Sequence, residues 1–339
     1  MPASLLVAGN ENPVDFGEAI GILEAFSFVS ADETGTTYSM HRLVQAATRA
    51  WLADQGDGTS EAIASHAIRM LSSRFPDGKF ENWPTCARYL PHAESVLTRS
   101  YQDASKADDL ARAKLLGAIA KYFGKQAKYS LAKSKAKESL DVYQTIGEPK
   151  CAEALQVKTE FATIIEKAGD LDGAITLYRE NLKDQENLLG GDHLDTLETV
   201  GRLALALTDL VMFTHEYEEA ELLARRALVG TERAVPANHP KILANIHTLG
   251  WCLYRQAKYS EAEILFRECK TQRETVLGES HPDTSSTTNS LALALNRANK
   301  IEEAERLLRH SSRVTSMLCG DEHIDAIINS SNLSRFLIE

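Results

Sequence analysis

Residues 236–280 read PANHPKILANIHTLGWCLYRQAKYSEAEILFRECKTQRETVLGES, and residues 281–317 continue HPDTSSTTNSLALALNRANKIEEAERLLRHSSRVTSM. The second stretch rewrites the first. His239 and His281 lie 42 residues apart, as do Arg255 and Arg297, and Ala262 and Ala304. A fixed period of tens of residues marks a stacked-repeat architecture. The same columns extend in both directions. Histidines recur at His193, His239, His281 and His323, in steps of 46, 42 and 42. Small residues recur at Ala132, Ala174, Ala220, Ala262 and Ala304, in steps of 42, 46, 42 and 42. Two independent columns keep the same steps where they overlap, which excludes chance spacing.

One period holds two helices. Ile242, Ile246, Leu249, Gly250 and Leu253 fall on one helical face, and Tyr259, Ala262, Phe266 and Cys269 form a second apolar stripe after a short polar turn. Gly250 and Ala262 are small where two helix axes must approach closely. Each unit opens on His-Pro-Asp-Thr or a variant, and Pro suits the first helical turn while stopping the helix before it. One hairpin cannot bury both stripes, so neighbours must stack.

Leu249-Gly250, Ala262, Phe266 and the lead-in Leu277-Gly278-Glu279-Ser280-His281-Pro282-Asp283-Thr284 resemble the tetratricopeptide repeat, in the long form of kinesin light chains. The resemblance covers roughly residues 108–339. It implies an all-α, right-handed superhelix whose first helices line a concave binding groove. It implies a fold more strongly than a function, because such arrays serve as scaffolds for many ligands.

The first 58 residues do not follow the period. Phe16, Ile20, Leu23 and Phe26 suggest a short amphipathic helix. Residues 28–30 and 37–40 flank an Asp-Glu-Thr-Gly turn and predict a β-hairpin, and residues 43–52 predict a second helix. Phe16, Ala19, Leu23, Phe26-Ser27, then Met40-His41-Arg42-Leu43-Val44-Gln45 and Trp51-Leu52, resemble the winged-helix end of the nucleotide-binding module in fungal NLR-type (NB-ARC, STAND) ATPases. In that family the segment joins the ATPase to a tetratricopeptide sensor array. Met40-His41-Arg42 stands where the family has Met-His-Asp, whose His contacts nucleotide. No phosphate loop accompanies it: Gly78-Lys79 and Gly124-Lys125 lack both the upstream Gly and the following Ser or Thr. His41 is accordingly expected to be a relic of the nucleotide sensor, with no cofactor bound. The expected organisation is a winged-helix-like segment over 1–58, a diverged capping hairpin over 59–107 and repeats over 108–339. The unit at 193–234 carries four extra residues near 211–214, close to one helical turn. The last helix, ending at residues 336–339, is expected to cap the array.

Composition narrows the function. The 339 residues carry a net charge of −11, which argues against nucleic acid as a bulk electrostatic partner. Residues 1–58 contain two basic and eight acidic residues, so the winged-helix segment itself would be repelled by phosphates. Five scattered cysteines with no C-x-x-C pair are expected to be reduced and mostly buried in the cytoplasm. No membrane span and no signal peptide is expected. The four periodic histidines sit one repeat apart, beyond shared coordination of one ion, so no metal site is expected. No catalytic constellation is evident, and acidic runs such as Glu302 to Glu305 lie where acids complement a helix start.

One column points to a ligand. Lys125, Lys167, Arg255 and Arg297 share a register seven residues before the small Ala, at the groove-facing end of each first helix; Asp209 interrupts them. A cation in the last turn is also favoured by about 0.3–1 kcal/mol with no ligand at all. Trp251, Tyr254, His247 and Asn289 are expected to share that inner surface as aromatic and amide anchors, or else to pack between hairpins. The expectation is a non-enzymatic scaffold for a protein or peptide ligand, acidic in character. It would be the sensor arm of an NLR-like protein. Alternatives are a kinesin-light-chain-like cargo adaptor and a C-terminal fragment of a larger NTPase.

Overall fold

The computed structural model describes residues 20–26, 28–32, 38–40, 42–54, 57–98, 105–210 and 217–338. His41, Phe16 and the four-residue insertion at 211–214 lie outside the described residues. The chain forms two compact units, residues 1–125 with 130–149, and residues 126–129 with 150–339.

In the first unit, residues 20–25 are helical. Strands β1 (Val29–Ala31) and β2 (Tyr38–Met40) then pair antiparallel, with Val29 opposite Met40. Helices α1 (Arg42–Asp54), α2 (Asp57–Arg74), α3 (Trp83–Leu97), α4 (Lys106–Lys125) and α5 (Tyr129–Thr145) follow. Ile68, Cys86, Ala93, Leu115, Leu116, Ile119, Ala132 and Tyr143 are fully buried. The link from α2 to α3 turns at Gly78, φ +72°, where a Cβ would lie 3.1 Å from the Tyr122 backbone. Trp83 Nε1 donates to the Gly78 carbonyl at 3.2 Å and closes that turn. Asp108 at the start of α4 is buried and accepts from Arg69 Nε at 2.6 Å and from Ser105 Oγ at 2.7 Å, which ties α2 to α4.

The second unit is an array of hairpins: α6 (Ala152–Lys167) with α7 (Leu171–Leu189), α8 (Leu194–Leu210) with α9 (Tyr217–Ala234), α10 (Pro240–Arg255) with α11 (Tyr259–Leu277), and α12 (Pro282–Arg297) with α13 (Ile301–Cys319). Helix α14 (Ile324–Ile338) packs on α13. The small-residue column does what its period requires. Ala174, Ala220, Ala262 and Ala304 are all fully buried. At Gly250 a Cβ would sit 2.7 Å from Phe266 Cε1, so only hydrogen fits between α10 and α11.

The histidine column caps helices. His239 Nδ1 accepts the Lys241 backbone N–H at 3.1 Å and His281 Nδ1 that of Asp283 at 3.1 Å. His193 and His323 do the same for Asp195 and Asp325, each at 3.2 Å. Each ring therefore fills the N-cap role more often played by Ser or Asp. The whole lead-in is one closed turn. Gly278, φ +92°, ends α11, and its carbonyl accepts from His281 N at 3.3 Å and from Thr284 Oγ1 at 2.9 Å. In the hairpins α6–α7, α10–α11 and α12–α13 the connection also uses a left-handed residue, Gly169, Ala257 and Asn299, with φ of +97°, +60° and +62°.

Polar groups pin the stacking. Asn245 Nδ2 on α10 donates to the Ala227 carbonyl and Thr231 Oγ1 on α9, at 3.1 and 2.9 Å. One repeat on, Arg273 Nη1 on α11 donates to Thr287 Oγ1 on α12 at 2.6 Å. At the next joint Asn329 Nδ2 on α14 donates to Ser311 Oγ and Thr315 Oγ1 on α13, at 3.0 and 2.9 Å. Glu221 and Glu263, one repeat apart, receive Lys258 and Lys300 at 3.1 and 2.7 Å. Against the upward push of its own burial, hydrogen bonds from Gln256, Arg225 and Lys258 hold the Glu221 carboxyl down to about 2.

Candidate ligand groove

The basic register ends the first helices, and each member has its own surroundings. Lys125 is the last residue of α4, in the first unit; Lys167, Arg255 and Arg297 end α6, α10 and α12 in the second. Lys167 Nζ lies 3.8 Å from the buried Glu166 carboxylate. Arg297 is exposed. Arg255 turns back onto the preceding repeat: its Nε and Nη2 each approach the carbonyls of Thr208 and Asp209 at 3.4 Å. Those carbonyls belong to the last turn of α8, where a cation meets the negative end of the helix dipole. The dipole partner of Arg255 is thus the neighbouring helix as well as its own.

Asp209 occupies the same register, and it completes the patch. Its Oδ1 accepts from Trp251 Nε1 at 3.0 Å. Trp251 stacks on Tyr254, with ring centroids 5.1 Å apart and planes within 10°. Tyr254 meets Tyr259 edge-on at 5.5 Å, and the Arg255 guanidinium lies 6.0 Å from the Trp251 ring centre. Trp251, Tyr254 and Arg255 are all half-buried. The structure therefore brings together Trp251, Tyr254, Arg255 and Asp209 on α8 and α10.

His247 and Asn289 are placed differently. His247 Nε2 pairs with Ser290 Oγ at 3.0 Å, and its ring packs 5.5 Å from Phe266. Burial, reinforced by the Arg273 charge, holds the imidazole down to about 3, so the ring is neutral. Asn289 is buried and accepts from Asn332 Nδ2 at 3.3 Å. Both side chains join consecutive first helices. Among the described residues no three His, Cys, Asp or Glu side chains are grouped as a metal would require. The buried thiols are held protonated: burial pushes Cys252 up to about 11 and raises Cys269 as well. No helix among the described residues is long and apolar enough to cross a membrane.

A family profile described as tetratricopeptide repeat matches residues 196–241, 246–283 and 284–325. The three matches cover most of the hairpins α8–α9, α10–α11 and α12–α13. These hairpins match the tetratricopeptide repeat. A curated relative, an NLR-like protein (nucleotide-binding leucine-rich repeat) of Hyaloscypha variabilis, is 37% identical over 112 residues. That match takes in 33% of this chain and 11% of the relative, so the chain spans only a small part of that protein's length. Among solved structures, NprR in complex with its cognate peptide NprX superposes with a TM-score of 0.58 at 12% identity, over 95% of this chain and 81% of that one. The tetratricopeptide-like repeats of a kinesin light chain from Podosopora anserina give 0.47 at 18% identity, over 61% of this chain and 96% of theirs. The superposition on NprR shows a shared fold and nothing further.

Proposed function

We propose that the chain is a non-catalytic tetratricopeptide scaffold, the ligand-binding arm of an NLR-like protein, and that it takes an acidic peptide in the groove of its first helices. One observation carries the reading. Trp251, Tyr254 and Arg255 form a half-buried aromatic and cationic patch, pre-oriented by Asp209 and by the α8 carbonyls. Rigid aromatic side chains beside an arginine are what interface hot spots are made of. A carboxylate arriving over α12 would meet Arg297 with charge-assisted hydrogen bonds. The likeness to the Hyaloscypha variabilis protein supports the NLR setting, and the peptide in the NprR complex supports the mode of binding.

Panning a random peptide library on the full chain tests this. The selected peptides should be rich in Asp and Glu. Tyr254→Ala and Arg297→Glu should each weaken them about tenfold in chains that are still folded at the assay temperature, which the melting curve of each variant checks. Arg255→Glu would also remove the contacts to the end of α8. Peptides that bind both variants as tightly as the parent chain would rule the groove out.

A further inference from the structure

A second place on the array asks for a ligand of opposite charge. A crevice opens between α6, α7 and α8, with room for one water-sized group (about 10 Å³), lined by Gln156, Thr159, Glu160, Gln185, Asp195 and Glu198. Gln185 is completely buried; its Nε2 faces Thr159 Oγ1 at 3.5 Å, and its Oε1 has no hydrogen-bond partner. The neighbouring Asn181, also buried, spends Nδ2 on the Leu155 carbonyl at 2.9 Å and Thr159 Oγ1 at 2.8 Å, and its Oδ1 is likewise unpartnered.

The equivalent joints show what is missing. Gln185 shares its repeat position with Thr231, Arg273 and Thr315. At those three joints the next first helix supplies a partner: Asn245, Thr287 and Asn329. Here the next first helix offers Thr199, whose hydroxyl is paired with Thr159 at 2.8 Å and with the Asp195 carbonyl at 3.2 Å. Two buried oxygens are therefore left that can only accept, beside three carboxylates that can only accept when ionised. An unmet buried acceptor is destabilising until a donor reaches it.

Glu198 already draws cations from within the chain, with the Arg202 guanidinium 3.9 Å from its Oε1. Lys241 Nζ reaches from α10 to Glu198 Oε2 at 2.8 Å. The carboxylates do not group closely enough for a metal ion. We propose that the crevice binds a primary ammonium group, which brings three N–H donors and a positive charge to Gln185 Oε1, Glu160 and Glu198. It comes from a lysine side chain or from a peptide N-terminus. The inference rests on the groove reading only for assigning that ammonium to a bound peptide; the site itself stands without it.

The test uses small probes on the full chain at low salt, read by the side-chain amide resonance of Gln185 and the backbone amides of Glu160 and Glu198. n-Butylammonium imitates lysine, and glycinamide imitates an N-terminus. One of them should move these resonances saturably, and which one does identifies the source. Tetramethylammonium, which has the charge without N–H donors, should bind at least fivefold more weakly. Gln185→Leu should keep the melting temperature and weaken the ammonium probe at least fivefold, read at Glu160 and Glu198. If that variant does not fold, Glu160→Gln carries the same expectation. The proposal is overturned if neither probe moves the resonances, which leaves the crevice to a water alone. It is equally overturned if tetramethylammonium binds as well, or if the folded variant binds unchanged. Loss of the acidic peptides with the ammonium response intact would sink the groove and leave this site standing.

Discussion

Ala257 adopts φ +60° in the turn between α10 and α11, a conformation that costs an L-residue about 1–2 kcal/mol. Gly169 fills the same repeat position. Ala257→Gly should therefore stabilise the chain, by up to about 1 kcal/mol once the extra entropy of glycine in the unfolded state is subtracted. A thermal melt that moves down would contradict the turn geometry. His247 supplies a different measurement. Its folded value of about 3 lies below the ordinary 6.5, so between those values the unfolded chain holds a proton that the folded chain refuses. Stability is fully present above about pH 6.5 and falls with added acid, at most about 1.4 kcal/mol per pH unit, less for a ring that water partly reaches. His247→Gln should flatten the loss of melting temperature between about pH 6.5 and 5; an equal slope would place the titration elsewhere. Neither behaviour is written in the residue letter. His247 and Asn289 read as groove anchors because their register faces inward, yet each is committed to the next first helix, to Ser290 and Asn332. Register tells which face a side chain leaves from. It does not tell whether a neighbour has already claimed it.

Helices and their joints were legible to different degrees. The two apolar stripes and the small column predict the hairpins because burial selects for residue type, and Ala262 and Ala304 are fully buried as their spacing requires. The polar joints stayed hidden for the opposite reason. Asn181, Ala227, Cys269 and Ser311 share one position, but three of them donate to the carbonyl 26 residues earlier while Ala227 offers its own carbonyl to Asn245. The histidine column was visible as a period, and the structure adds its chemistry, a ring nitrogen that caps the first turn. His281→Ala should cost about 0.5–2 kcal/mol through the lost cap, and His281→Asn should recover most of it. Equal melting of the two variants would mean that the ring serves by packing instead. The basic register was legible as a column, whereas the turn of Arg255 onto the Thr208 and Asp209 carbonyls needs the stacking of neighbouring repeats, which no local pattern encodes.

The second unit should tolerate the loss of a whole repeat. Removing residues 239–280 joins Asn238 to His281 and brings Thr287 to the position where Asn245 met Thr231. The histidine lead-in is kept, and the Thr287 hydroxyl takes the place of the Asn245 amide opposite the Thr231 hydroxyl. The shortened chain should fold cooperatively and melt at a lower temperature, since each repeat contributes its own stability and one interface. An unfolded product would show that the array depends on contacts beyond nearest neighbours. The same geometry bears on how such a gene can change. Every copy carries one side of the joint in its first helix and the other near the end of its second, although the donor is Asn245 or Asn329 on a first helix at two joints and Arg273 on a second helix at another. A duplication or deletion in steps of one period then keeps second helix against first helix at the same positions, so recombination between copies can vary groove length and ligand without first breaking the protein.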